Sequence, residues 1–216
     1  MTNEQIFQIV NSELKAKTLG TTEQYLQIHD VVYENNKPII KRIDREGANN
    51  LIVAYLPIIG EEFYFAVYID PERQIITGFD VEADYRVYFK ATSETMNSQE
   101  LSSLTTLEPT KSWSKGEFRN IGNSKHSFSA IMFLPNPEPD EFEDKLDKLL
   151  TYLEQDSDGI KVLVEKAFGY IQVAAVFHNG NGMIGGPTIN QQSMKRLSNL
   201  NLSVNFDLYV EGNLIK

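Results

Sequence analysis

The sequence predicts an α+β protein: an N-terminal helix plus an antiparallel meander, followed by a mixed α/β sandwich with helices on one face of the sheet. Three observations predict this class. Apolar residues recur at helical spacing near the start of the chain, a β-prone region with turn signals follows, and beyond residue 83 helical and strand patterns alternate. Because 216 residues are sufficient for two units, we expect one over 1–80 and a second over 83–216.

The first unit begins with an amphipathic helix and continues as strands. The pair Thr2-Asn3 is a capping signal, and four apolar residues follow it at helical spacing: Ile6, Ile9, Val10 and Leu14. The pair Asn35-Asn36 lies between two β-prone runs and predicts a hairpin. Strands near 50–58, 62–69 and 74–79 complete a meander. A helix followed by an antiparallel meander is the element order of cystatin-like and related curved-sheet domains.

The second unit begins with "VEADYRVYFKATS", in which apolar and polar residues alternate as in a half-buried strand. A short helix over 94–104, a long loop and the strand "HSFSAIMFLP" come next. "DEFEDKLDKLLTYLEQ" predicts an amphipathic helix, and a further helix runs from Ile160 to Lys166. The strand "GYIQVAAVFHNG", a helix capped by Asn190 and the strand "LSVNFDLYV" complete the unit.

Charge and composition exclude several classes of function. The net charge of −10 disfavours binding to nucleic acid or to anionic lipid, and makes a basic protein the natural partner. The chain has no cysteine, which excludes disulfides and thiol chemistry and suits a reducing cytoplasm. We find no signal peptide, and no apolar run approaches the roughly 20 residues that a membrane span needs. We therefore expect an acidic cytoplasmic protein.

No motif for catalysis, a metal or a cofactor is apparent. The three histidines lack metal-ligand spacing, and the serines lie in no nucleophile motif. Residues 180–185 match a dinucleotide-binding fingerprint in spacing, but Gly186-Pro187 follows where a helix would have to begin. The acidic residues between 138 and 158 suit the start of a helix, and they also raise the possibility of an acidic face for a basic partner.

The only tryptophan lies in the predicted loop "LEPTKSWSKGEFRN", residues 107–120. A large ring in a loop shaped by Pro109 and Gly116 serves to pin that loop to a sheet. We therefore expect Trp113 to be at least half buried, with Lys115, Glu117 and Arg119 facing outward.

Residues 83–212 resemble the family catalogued as domain of unknown function 4279. The resemblance is carried by Pro109-Thr110 and Lys115-Gly116, and by Asp207 and Tyr209 in the closing strand. It implies a bacterial protein and supplies no catalytic residues. Gene context has led to the suggestion that some members are immunity proteins acting beside polymorphic toxins. The region before residue 80 lies outside the resemblance and is expected to be an added domain.

Two functions remain open from the sequence. The first is a non-enzymatic cytoplasmic binding protein, an immunity protein in its most specific form, with a basic partner such as a toxin. The alternative is a small-molecule binding protein or hydrolase with a cleft between loops 107–120 and 178–187. The oligomeric state is left open, and the candidate binding residues for the two functions are Trp113, Lys115, Arg119, Tyr152, His178, Asp207 and Tyr209.

Overall fold

The structure, a computed structural model, describes residues 1–120, 122–180 and 186–214. It contains a four-stranded and a five-stranded sheet that share no strand, and a separate apolar core lies against each. The predicted α+β class is therefore confirmed. Within the residues described, no helix has both the length and the apolar character needed to cross a bilayer.

The secondary structure elements follow the predicted order. The helices are α1 (Asn3–Ala16), α2 (Gly20–Tyr25), α3 (Ser98–Ser102), α4 (Phe142–Leu153), α5 (Ser157–Lys166) and α6 (Gln191–Asn199). The strands of the first half are β1 (Tyr33–Glu34), β2 (Lys37–Pro38), β3 (Arg42–Asp44), β4 (Ile52–Pro57), β5 (Tyr64–Asp70) and β6 (Ile75–Glu82). Those of the second half are β7 (Asp84–Ser93), β8 (Lys111–Trp113), β9 (Ser129–Phe133), β10 (Phe168–His178) and β11 (Val204–Glu211).

The first sheet is antiparallel, in the order β3-β4-β5-β6, and packs on α1. A capping box between Thr2 and Gln5 begins α1. The predicted hairpin is present, because Asn35 and Asn36 both adopt positive φ between β1 and β2, as a tight primed turn requires. Between β5 and β6, the Asp70 carboxylate accepts from two backbone amides of the predicted turn.

The second sheet has the order β11-β10-β7-β9-β8 and is mixed, because only β10 and β11 pair in parallel. Helices α3 to α6 bury apolar side chains against one of its faces. The predicted apolar stripe of α4 lies in that core; its members are Phe142, Leu146, Leu149, Leu150 and Leu153. The prediction of a mixed sheet with helices on one face is thus confirmed.

Two local predictions needed correction. Residues 111–113, read from the sequence as loop, form the edge strand β8, which is too short to show an alternating pattern. Helix α5 begins three residues before the predicted Ile160, because the Asp156 carboxylate accepts from the backbone amide of Gly159 and caps it.

Three of the contacts between the two sheets illustrate how they pack. Val176 of β10 is buried in the core of the first sheet. Arg42 of β3 forms an ion pair with Asp140, which lies just before α4. His29 approaches His178 at the end of β10. The two sheets therefore pack through both apolar and polar side chains.

Candidate functional site

Helices α3 to α6 pack on one side of the second sheet, and we call the other side the open face. The first sheet and its helices pack on this side only at the end of β10, around Val176 and His178. Residues 87, 89 and 91 of β7 point into the helix-covered core, so their neighbours 86, 88, 90 and 92 point the opposite way. The strand register extends this alternation across the other strands. Six aromatic side chains lie on the open face: Tyr88, Trp113, Phe128, Phe168, Tyr170 and Tyr209.

Trp113 anchors one end of this surface. Its ring stacks on that of His126, with centroids 4.9 Å apart and planes inclined by 23°, and Phe128 lies 6.5 Å away. The ammonium of Lys90 lies 5.7 Å from the Trp113 centroid and 5.2 Å from that of Phe128, within cation–π range. Burial lowers the pKa of Lys90. As expected, Trp113 is more than half buried.

The stacking partner of Trp113 belongs to a hairpin-like arm, of which the structure describes residues 114–120 and 122–128. The amide of Gly116 donates to the His126 carbonyl at 2.8 Å, and the amide of Arg119 donates to the Ser124 carbonyl at 2.9 Å. Lys115 and Arg119 are exposed, as predicted. Trp113 therefore holds the arm against the sheet.

Replacing Trp113 with alanine is expected to lower the free energy of unfolding by about 2 kcal/mol, less than for a fully buried aromatic. In this variant, the amide hydrogens of the arm should exchange faster than in the wild type, and this increase should be larger than that in the strands β7 and β10. Phe118→Ala is the matched control, since Phe118 is 67% exposed on the same arm and should change the stability little. Equal losses in a urea titration of the two variants would contradict the anchoring role.

Asp207 and Tyr209 lie at the opposite side of the open face, on β11. Both are exposed, and the Gln172 side-chain amide donates to the Asp207 carboxylate at 3.1 Å. Beside them is a shallow groove of 360 Å³. It has an acidic lining in which Arg86 is ion-paired; the lining residues are Glu62, Arg86, Tyr88, Ala174, Val176, Asp207, Tyr209 and Glu211.

The sheet separates the predicted binding residues into three places. Trp113, Asp207 and Tyr209 share the open face, and Lys115 and Arg119 extend from the Trp113 end on the arm. Tyr152 lies on the helix side, where its hydroxyl donates to the Glu108 carbonyl at 3.0 Å. His178 is buried between the two sheets.

The register places the two loops of the alternative hypothesis far apart. Trp113 pairs with Ala130, Ala130 with Thr92, and Thr92 with Phe168, so Trp113 is level with the first residue of β10. His178 is the last residue of that strand, and ten residues of strand span about 33 Å. The described parts of loops 107–120 and 178–187 therefore do not face each other across a cleft, and residues 181–185 of the glycine stretch lie outside the described residues.

His29 and His178 form a buried pair between the two sheets. Their Nε2 atoms are 2.9 Å apart, and the rings meet edge to face at 4.9 Å. The Gly180 amide donates to Nδ1 of His178, so the proton of the neutral His178 ring is on Nε2, directed at His29 and at the Asn213 carbonyl. Burial lowers the pKa of both rings, and His178 lowers that of His29 further.

The acidic residues around α4 are mostly engaged within the chain. Asp140 accepts from Arg42, from Lys148 at 2.6 Å and from Asn136 at 2.7 Å. Arg196 binds both Asp147 and Glu154. The acidic face considered from the sequence is therefore largely used to hold the fold together.

One acidic group has the spacing of metal ligands. Carboxylate oxygens of Asp44, Asp140 and Asp144 lie within 4.8 Å of one another. Arg42 pairs with both Asp44 and Asp140, and Lys148 binds Asp140, so cationic side chains of the chain already pair with two of the three carboxylates. These ion pairs form part of the contact between the two sheets.

Fold and site together define an α+β protein whose helix-backed mixed sheet presents an aromatic outer face. Residues 83–211 match the family model described as a domain of unknown function (DUF4279). Since the match covers more than half of the chain, the protein belongs to that family, as the closing-strand motif had predicted. No curated protein and no solved structure matches the chain.

Proposed function

We propose that the protein is a binding protein and that the open face is its contact surface for another protein. The observation that carries the proposal is the presence of six aromatic side chains on the side of the second sheet opposite helices α3 to α6. Tyr and Trp are the residue types that supply most of the binding energy at protein interfaces. They also lose little conformational entropy on contact, because each side chain has only two torsion angles to fix.

The charges on the open face favour a particular orientation of the partner. Lys90 and Lys111 lie at the Trp113 end, and the arm adds further cationic groups. The groove at the other end is lined by Glu62, Asp207 and Glu211. A basic segment of a partner fits that acidic end, whereas the aromatic centre accepts apolar side chains.

The finer form of the proposal is that the partner is a toxin and that binding neutralises it. This step rests on the family resemblance and on the basic partner expected from the net charge. It requires no catalytic residue. The alternative, a small-molecule binding protein or hydrolase, gains no support from Asp207, because that side chain is exposed.

Site-specific photo-crosslinking in the source organism tests the contact surface. A photoreactive phenylalanine at position 170 or 209 places the probe on the open face, and the same residue at Gln192, exposed on α6, is the matched control. We expect one protein other than a second copy of this chain to be crosslinked from positions 170 and 209 and not from 192. Equal crosslinking from all three positions, or crosslinking from position 192 alone, would reject the open face as the interface.

A growth assay then separates the toxin proposal from binding in general. The crosslinked protein is expressed alone, then with the wild-type chain, then with the Tyr170→Ala variant. Growth arrest that the wild type relieves and the variant does not is the expected result. A partner that leaves growth unchanged when expressed alone rules out the toxin and leaves the binding surface in place.

A further inference from the structure

The outer edge of β11 is unpaired within the described residues, although the strand is eight residues long. The carbonyls of Ser203 and Glu211 accept from β10, so the odd-numbered residues direct their backbone groups inward. Val204, Phe206, Leu208 and Val210 therefore direct their N–H and C=O groups towards the free side. An edge of this kind is a template for another strand.

The side chains of this edge give it little protection, since Asp207 and Glu211 are its only charged residues. The strand "VNFDLYVE" contains no proline, lysine or arginine, the residues that commonly block edge pairing. Phe206 is 39% exposed, Leu208 58%, Tyr209 48% and Val210 47%, a concentration of exposed apolar area on one strand. Both the backbone and the side chains therefore favour an added strand.

We propose that β11 pairs antiparallel with β11 of a second copy, about a two-fold axis centred on Leu208. A two-fold axis normal to the sheet keeps each side chain on its own face. Even-numbered residues must therefore lie opposite even-numbered residues of the second copy, and odd-numbered residues opposite odd-numbered ones. The even-numbered residues that point their backbone groups outward are then opposite one another, as hydrogen-bonded pairs require.

Charge selects this register over its neighbour. Two registers centre the axis on the middle of the strand, one at Asp207 and one at Leu208. The first places the two Asp207 carboxylates directly opposite each other, which is destabilising. In the second, Leu208 meets Leu208, Phe206 meets Val210, and Asp207 lies opposite Tyr209.

Pairing in this register joins the two sheets into one of ten strands. Because the axis is normal to the sheet, both open faces point to the same side and form one continuous surface. The inference does not depend on the proposed function, since it concerns the edge of the sheet and not its face.

The oligomeric state of the 216-residue chain in solution tests the proposal. Sedimentation is expected to give a species of twice the 24.6 kDa chain mass. Two copies of net charge −10 repel, so salt should strengthen the association as it screens that repulsion. Leu208→Lys should abolish the dimer by placing two ammonium groups opposite each other. Met194→Lys, the same kind of change at a 54% exposed site on α6, should leave the dimer intact.

Single cysteines test the register, because the natural chain has none. The Cα atoms of a hydrogen-bonded antiparallel pair are about 5.5 Å apart, which suits a disulfide. Leu208→Cys should therefore crosslink on mild oxidation, whereas Asp207→Cys, separated from its counterpart by roughly 7–8 Å, should not.

Three results would overturn the proposal. One is a monomer at every concentration, including the case in which the edge accepts only a strand of another protein. Another is a dimer that persists in the Leu208→Lys variant, when the thermal unfolding of this variant matches that of the wild type and so shows that it is correctly folded. Crosslinking through position 207 in place of position 208 is the third.

Discussion

Asp140→Asn is expected to lower the free energy of unfolding by about 3 kcal/mol, the magnitude typical of breaking a buried ion pair. The Asp140 side chain is fully buried and accepts from Arg42 and Lys148 at the contact between the two sheets. Asparagine keeps the shape but removes the charge, and its amide would point N–H groups at one of these donors. Arg42 and Lys148 would then keep their charges with only a neutral side chain between them.

A urea titration of wild type and variant measures this loss. Asp147→Asn is the matched control, because that carboxylate pairs with Arg196 but is 62% exposed, and exposed pairs contribute at most about 1 kcal/mol. Similar losses in the two variants would show that Asp140 has no special role in joining the sheets.

The pH dependence of the same contact follows from the Asp140 pKa. Burial raises that pKa, but the hydrogen bonds and charges of Lys148 and Arg42 outweigh burial and hold it below its ordinary value. The ion pair therefore contributes its full stability at pH values above the ordinary pKa of an aspartate. That contribution is lost as the pH falls below that value towards the depressed folded-state pKa.

The elements with strong periodicity could be predicted from the sequence. The predicted strand β5 and the predicted amphipathic helix α4 both bury apolar side chains in the cores, and each is long enough for its pattern to be recognised in the sequence. Strand β8 could not be predicted, because three residues between Pro109 and Gly116 are too few to show a period.

The open face was only partly predictable. Trp113, Asp207 and Tyr209 were singled out, whereas Lys90 and Tyr170 were missed. The signal for Lys90 was present in the alternation of β7, whose polar side carries Arg86, Tyr88 and Lys90. What the pattern could not supply was the sheet order, and therefore which strands lie side by side on that face.

The long-range polar contacts lay beyond sequence patterns. In the sequence, Asp140 lies in a run of acidic residues typical of a helix start. Its partner Arg42 is far away along the chain: Arg42 also binds the carbonyl of Pro139, from which it is separated by 97 residues. His29 and His178 are separated by 149 residues. Such pairs depend on how the two sheets pack, which local periodicity does not encode.

The His29–His178 pair should make the protein less stable as the pH falls below about 6.5, the ordinary histidine pKa. Both folded-state pKa values are lowered, so between those values and 6.5 the unfolded chain binds more protons than the folded one. Stability therefore rises with pH in this window and is lost on acidification. The slope is about 1.4 kcal/mol per pH unit for each ring that takes up its proton only on unfolding.

Neighbouring charges oppose part of this effect. Asp30 favours the charged form of His29, Asp80 favours that of His178, and Glu61 lies 3.7 Å from Nδ1 of His29. Carboxyl groups whose pKa burial raises, such as Glu82, contribute with the opposite sign, because the folded state holds their protons. Only the difference between wild type and a histidine variant isolates the pair.

Urea titrations of the wild type and of His178→Gln between pH 7.5 and 5 provide that difference. Glutamine retains a donor and an acceptor but does not titrate, so the variant should show a shallower loss of stability on acidification. His126→Gln, the matched control at the remaining histidine, lies against Trp113 away from the contact between the sheets and should keep the wild-type slope. If the wild type and His178→Gln lose stability in parallel as the pH falls, the pair does not remain neutral in the folded protein.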